Sequence, residues 1–101
     1  MKYLVMGKPG ITPMPPERLV GLNQAAKAWM QERFADGSVE CHYVFPDGGG
    51  FVIANMDSHE TVLDTLLEYP LYPIMDWEVK ALCEWDHSYD KFIEFWQKLA
   101  G

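Results

Sequence analysis

A histidine in a strand-like segment is the first residue whose chemistry stands out. His42 lies in SVECHYVF, residues 38–45, and an imidazole titrates near neutral pH, so it can take up and return a proton. Regular alternation along a strand puts Glu40 on the same face as His42, and a histidine near a carboxylate is a useful acid–base pair. The alternative is a solvated histidine at a sheet edge with no chemical role.

Two carboxylates, Asp76 and Glu78, alternate with apolar residues in MDWEVKAL, residues 75–82. Because they lie two residues apart on a strand, they share one face and repel each other unless they are paired. One of them, held protonated, would serve as a general acid. The alternative is charge pairing with Lys80 or with a second subunit.

Four aromatic residues are candidates for a pocket between sheet and helices: Tyr43, Tyr72, Trp77 and Trp29. Aromatic rings supply apolar surface, and phenol hydroxyls can orient an oxygen atom of a ligand. Tyr72 lies between two prolines just before a predicted strand, which favours it as a pocket residue. For the two tryptophans the alternative is a place in the core, and we prefer it.

Other motifs point away from bound groups. DGGGF, residues 47–51, leads into a strand, whereas glycine-rich phosphate loops lead into a helix, so we interpret it as a hairpin turn. Cys41 and Cys83 have no metal or redox spacing, and the three histidines are scattered. We therefore expect no metal site.

Composition narrows the class of protein further. The chain has 101 residues, half of them apolar, and a formal net charge of −7. Without a run of Lys or Arg, nucleic acid and anionic membrane are not expected partners. No segment reaches the ~20 apolar residues of a membrane span. MKYLVM, residues 1–6, is too short for a signal peptide, so we expect a cytoplasmic protein with one domain, residues 1–101.

The elements that must position these side chains follow from periodicity and turn signals. A proline- and glycine-rich loop, residues 7–16, separates the first strand from the first helix. It is long for a compact domain and is expected to cover another part of the molecule. Ser58 is the expected N-cap of the second helix, and Asp86 or Ser88 that of the last. The predicted strands are 2–6, 38–45, 51–56 and 73–85, and the predicted helices are 17–35, the segment from Ser58 to Pro70, and 88–100.

This β-α-β-β-α-β order predicts an α+β, ferredoxin-like fold with strand order 4-1-3-2 and an additional C-terminal helix. Alternation predicts that Val39, Cys41, Tyr43 and Phe45 face the helices, while Glu40, His42 and Val44 face the other side. That open face would have an apolar centre and charged margins, as an interface between two sheets does. We therefore predict a homodimer, in which His42 approaches Asp76 or Glu78 of the other subunit.

The segment LLEYPLYPIMDWEVKAL, residues 66–82, is similar to the C-terminal signature of muconolactone isomerases. That signature is a leucine-rich helix, Pro-Leu-aromatic-Pro, Met-Asp, then Glu-Val and a final strand. TPMPP, residues 12–16, also resembles the loop after the first strand of that family. The matching residues in the signature are Pro70, Leu71, Tyr72, Pro73, Met75, Asp76, Glu78 and Val79.

The resemblance implies a cofactor-free dimeric α/β barrel, able to assemble further, that shifts a double bond in a small lactone by acid–base proton transfer. The chain departs from the family at His42 and Tyr43, where the family has a Trp-Arg pair. An arginine that would hold a substrate carboxylate is therefore missing there. The last helix also has no close counterpart in the family.

These observations predict a small isomerase or cyclase that acts on a small, largely apolar oxygenated ring compound. His42, Asp76 and Glu78 would handle protons, Tyr43 and Tyr72 would orient the ligand beside Trp77, and the loop 7–16 would close over it. Two alternatives stay open: a ligand-binding or oligomerisation module without chemistry, and a cofactorless monooxygenase.

Overall fold

The computed structural model describes residues 1–10 and 13–101. These described residues form four strands and three α-helices in the predicted order. The strands are β1 (Lys2–Pro9), β2 (Val39–Val44), β3 (Gly50–Asn55) and β4 (Met75–Leu82). The helices are α1 (Pro16–Ala35), α2 (His59–Leu67) and α3 (Trp85–Ala100), and a short 3₁₀ turn, Tyr72–Ile74, precedes β4.

The four strands form one antiparallel sheet in the order β2-β3-β1-β4. This is the predicted order read from the other edge, so the α+β, ferredoxin-like prediction is confirmed. Tyr3 pairs with Ala54 on β3 and with Ala81 on β4. Since side chains alternate along a strand, this register fixes which residues face the helices.

The core lies between the sheet and the first two helices. Tyr3 and Val5 of β1 and Ala54 of β3 are buried together with Met56 and with Val62 of α2. Val62 and Leu66 lie four residues apart, so they share the face of α2 that packs on the sheet. Ala26 of α1 is buried, whereas Phe34 near the end of the same helix is exposed.

The ends of several elements differ from the predictions. β1 continues to Pro9, because Gly7, Lys8 and Pro9 pair with Trp77, Asp76 and Met75 of β4. The first three residues of the predicted 7–16 loop are therefore strand. Ile11 and Thr12, which also belong to that loop, lie outside the described residues.

One of the two predicted helix N-caps is confirmed and the other is wrong. Ser58 is the N-cap of α2 as predicted: its hydroxyl accepts a hydrogen bond from the backbone N–H of Thr61 at 3.1 Å. The prediction for α3 is wrong, because this helix begins at Trp85 with Glu84 at the cap position. Ser88 lies inside the first turn, where its hydroxyl donates to the carbonyl of Glu84 at 2.7 Å.

The face of the sheet that the helices leave uncovered, called the open face below, has an apolar centre. Leu4 and Met6 of β1 pair with Ile53 and Phe51 of β3, and all four are half-buried. Charged residues lie around this centre: Lys2, Lys8, Glu40, Asp76, Glu78 and Lys80. Two ion pairs neutralise part of this charge, Lys2–Glu40 at 2.9 Å and Lys80–Glu78 at 3.4 Å.

Candidate functional site

A bulge in β2 decides which side of the sheet His42 occupies. Val39 pairs with Ala54 and Cys41 pairs with the adjacent Ile53, so Glu40 is an extra residue between them. An extra residue reverses the alternation for the rest of the strand. His42, which pairs with Val52, therefore faces the helices rather than the open face.

Behind His42 lies a cavity of about 160 Å³ between the sheet, α1 and α2. Its lining is chiefly apolar and includes Val52 and Leu66. The polar side chains in the lining are those of Asn23, His42, Thr65 and Tyr69, and Trp29 and Trp77 also line the cavity. Among the described residues that line the cavity there is no Lys, Arg, Asp or Glu. A largely apolar pocket with a few polar groups is the usual form of a small-molecule site.

The backbone of β3 fixes the tautomer of the His42 ring. Nδ1 of His42 is 3.0 Å from the carbonyl oxygen of Phe51. A carbonyl can only accept a hydrogen bond, so Nδ1 carries the proton in the neutral ring. The unprotonated Nε2 is then the nitrogen that can act as a base.

Three aromatic rings form one wall of the cavity. The ring of Tyr69 lies 5.3 Å from that of Trp29 and 5.7 Å from that of Trp77, nearly perpendicular to the latter. Such edge-to-face contacts stabilise ring pairs by ~0.5–1.5 kcal/mol beyond burial. Burial raises the pKa of the Tyr69 phenol, so its hydroxyl stays protonated at neutral pH and can donate a hydrogen bond.

Both tryptophans are held from outside the cavity. Trp77 stacks on Tyr72 with centroids 6.0 Å apart, and its indole N–H donates to the carbonyl of Tyr72 at 3.1 Å. The guanidinium of Arg33 lies 5.4 Å from the ring centre of Trp29, a cation–π contact. Arg33 also forms ion pairs with Asp36 at 3.1 Å, at an angle that makes no hydrogen bond, and with Glu68 at 3.8 Å.

The structure brings together only some of the predicted site residues. His42 and Trp77 line the cavity, and Tyr72 lies behind Trp77. Tyr43 is on the open face next to Phe51 and is 67% exposed, because the bulge places it opposite to His42. The prediction that it faces the helices is wrong.

The two predicted carboxylates also lie away from the cavity. Asp76 and Glu78 are on the open face of β4, as alternation predicted, and Glu78 is paired with Lys80. Since His42 faces the helices, the sheet separates it from both carboxylates. The prediction that His42 shares their face is therefore wrong, and so is its predicted approach to them across a sheet-to-sheet interface.

Sequence reasoning missed Asn23 and Tyr69. The signal for Tyr69 was its position three residues after Leu66, which continues the buried face of α2 into the following turn. Within residues 1–10 and 13–101, no group of three His, Cys, Asp or Glu side chains is arranged to hold a metal ion. Nor does any helix in this part of the chain have the length and apolar character to cross a membrane.

Comparison with solved structures shows which family shares this architecture. Muconolactone isomerase superimposes with a TM-score of 0.75 at 26% sequence identity, over 83% of this chain and 90% of the isomerase chain. The chain shares the fold of muconolactone isomerase. No protein-family model and no curated protein matches its sequence.

A second neighbour of this protein shows the fold alone. It is 5-chloro-2-hydroxyhydroquinone dehydrochlorinase from Burkholderia phenoliruptrix AC1100, in complex with 2,5-dihydroxybenzoquinone. Its TM-score is 0.67 at 16% identity, over 86% of this chain and 98% of that chain. Both neighbours are named as enzymes that act on small molecules, so the fold is one that small enzymes use.

Proposed function

We propose that this protein is a cofactor-independent isomerase that moves a proton within a small, neutral, oxygenated ring compound bound in the helix-side cavity. The observation that carries the proposal is His42, which lines the cavity with its Nδ1–H held by the Phe51 carbonyl. That hydrogen bond leaves Nε2 free to act as a base.

The substrate class follows from the lining. Removing an isolated carboxylate from water costs several kcal/mol unless a cation compensates it. None of the described lining residues is Lys or Arg. A neutral ring with one or two oxygen atoms suits this cavity better than the carboxylate-bearing lactone that gives muconolactone isomerase its name.

In the proposed reaction, Nε2 of His42 removes a proton from the carbon beside a lactone carbonyl. The electron pair of the broken C–H bond moves into a dienolate, and the carbonyl oxygen becomes negative. The protonated Tyr69 hydroxyl donates a hydrogen bond to that oxygen. The imidazolium then returns the proton to the far carbon of the dienolate, so the double bond has moved and no atom is gained or lost.

We also propose that two copies pair through the open face. Its centre, Leu4, Met6, Phe51 and Ile53, is apolar and only half-covered within one chain. In this arrangement Asp76, Glu78 and Lys80 lie at the margin and pair across the interface rather than handle protons. The exposed Tyr43 then packs at the same margin.

The test uses α-angelica lactone, a neutral five-membered unsaturated lactone whose double bond shifts by this proton movement. We expect the protein to accelerate conversion to the conjugated isomer, followed by proton NMR. His42→Gln is expected to lower that rate by ~100-fold. His87→Gln, the same substitution at an exposed position of α3, is the matched control and is expected to keep the rate. Equal rates for both variants would refute the role of His42.

A binding protein without turnover is the second candidate function. One observation favours it: the hydrogen-bond partner of His42 among the described residues is a backbone carbonyl, not a carboxylate. This alternative predicts that the lactone binds and that no isomer forms above the buffer rate.

A further inference from the structure

The C-terminal helix carries a continuous apolar stripe that its own chain leaves uncovered. The stripe residues follow at alternating steps of four and three, which places them on one side of a helix. Each is at least 60% exposed. The stripe consists of Trp85, Tyr89, Phe92, Trp96 and Leu99, with Ile93 and Phe95 beside it.

The connection to β4 directs the helix away from the body. Only Cys83 and Glu84 lie between the end of β4 and the start of α3. A helix of 16 residues is ~24 Å long, and the described chain extends 63 × 29 × 23 Å. The helix therefore projects from the sheet and exposes its apolar stripe.

The charges of α3 do not suit a membrane surface. Helices that lie on anionic membranes carry mainly Lys and Arg on their polar side. The polar side of α3 carries Asp86, Asp90 and Glu94 against Lys91 and Lys98, and Lys91 is paired with Glu94 at 3.0 Å. This balance favours a protein surface as the partner.

The same chain has a second uncovered apolar surface, formed by Leu63 and Leu67 of α2 and Val79 of β4. These residues are 52%, 54% and 43% exposed. Val62 and Leu66 of α2 pack toward β1. Leu63 and Leu67 each follow one of them in the chain, so their side chains point about 100° further around the helix axis. In a right-handed β3–α2–β4 crossover that turn points toward β4, so the three residues form one surface. We call it the α2–β4 surface.

We propose that α3 of a second copy of this chain covers the α2–β4 surface, and that the exchange is reciprocal. A twofold axis beside the β4 edge gives both copies the same contact, as in isologous dimers. The aromatic side chains of one stripe alone would bury on the order of 500 Å². Two stripes and the two surfaces that receive them then reach the ~1,200–2,000 Å² typical of stable interfaces.

This contact is separate from the pairing through the open face, since Leu63, Leu67 and Val79 lie on the helix side of the sheet. It also does not rest on the proposed isomerase activity. If both contacts form, the assembly is larger than a dimer, and loss of the α3 contact leaves the smaller unit.

The experiment measures the mass of the full chain in solution by sedimentation equilibrium. Trp96→Glu on α3 and Leu67→Glu on α2 are each expected to lower the mass of the assembly at least twofold. Gln97→Glu, next to Trp96 on the polar side, is expected to keep the wild-type mass. Both target residues are exposed within one chain, so each variant should fold, which far-ultraviolet circular dichroism verifies.

Two results would overturn the proposal. A reduced mass for Trp96→Glu with a wild-type mass for Leu67→Glu would show that α3 docks elsewhere. A monomeric wild-type chain would show that α3 folds back onto its own body.

Discussion

Gly7 lies directly against the indole of Trp77. A Cβ atom at Gly7 would be 2.8 Å from Cζ3 of Trp77 and 2.8 Å from Cε of Met75, closer than such atoms approach. Gly7 and Trp77 are register partners on β1 and β4, and Trp77 forms part of the aromatic wall of the cavity. The absence of a side chain at Gly7 therefore determines where this wall stands.

We predict that Gly7→Ala destabilises the fold by ~1–3 kcal/mol, because the added methyl group must displace Trp77 or Met75. Gly21→Ala is the matched control. No atom lies within 4 Å of the Cβ position at Gly21, inside α1, so that change is expected to stabilise the chain by ~0.5–1 kcal/mol. Urea unfolding followed by tryptophan fluorescence measures both. A loss at Gly21 equal to that at Gly7 would contradict the steric explanation.

The buried phenol of Tyr69 predicts a stability change at alkaline pH. Burial raises its pKa in the folded chain, so the unfolded chain releases this proton first as the pH rises. Above the unfolded pKa of about 10, the folded state binds more protons than the unfolded state, and the free energy of unfolding falls. We expect Tyr69→Phe to reduce this fall in denaturant titrations between pH 8 and 11. An unchanged slope would show that Tyr69 is not the group responsible.

The N-cap of α2 predicts a simple stability difference. Ser58→Ala removes the acceptor of the Thr61 N–H and is expected to cost ~1 kcal/mol. Ser88→Ala in α3 removes a hydroxyl that donates to a carbonyl and caps no N–H, so its effect should stay within ~0.5 kcal/mol. Chemical denaturation measures the pair. Similar costs for both serines would argue against the capping role of Ser58.

Element order, strand order and fold were predictable because hydrophobic periodicity and turn residues act locally. The side of the sheet that His42 faces was not. Alternation counted from Val39 gives the wrong face, because Glu40 is inserted as a bulge opposite Ala54 and Ile53. Such a bulge depends on how two strands meet, and nothing in the sequence of β2 marks it.

The other site residues were predictable only where their strand or helix is regular. Trp77 was only one candidate for a pocket between sheet and helices, with a core place preferred, but the side of the sheet that it faces was predictable because β4 is regular from Met75 to Leu82. Tyr43 was misplaced by the bulge in β2. Tyr69 was missed because it lies beyond the end of α2 at Leu67, and only the three-residue step from Leu66 indicates that it continues the buried face.

The proposed function requires that a small neutral ring compound binds in the cavity on the helix side of the sheet. The chain has four tryptophans, and their positions make them internal reporters. Trp29 and Trp77 line the cavity, whereas Trp85 and Trp96 lie on α3.

The first measurement to make is therefore a titration with α-angelica lactone, followed in the ¹H–¹⁵N spectrum of the indole N–H groups. Single Trp→Phe variants assign the four signals. If the lactone binds in the cavity, the signals of Trp29 and Trp77 shift and saturate together while those of Trp85 and Trp96 stay in place. Shifts confined to Trp85 and Trp96, or no shift at the highest lactone concentration, would contradict it.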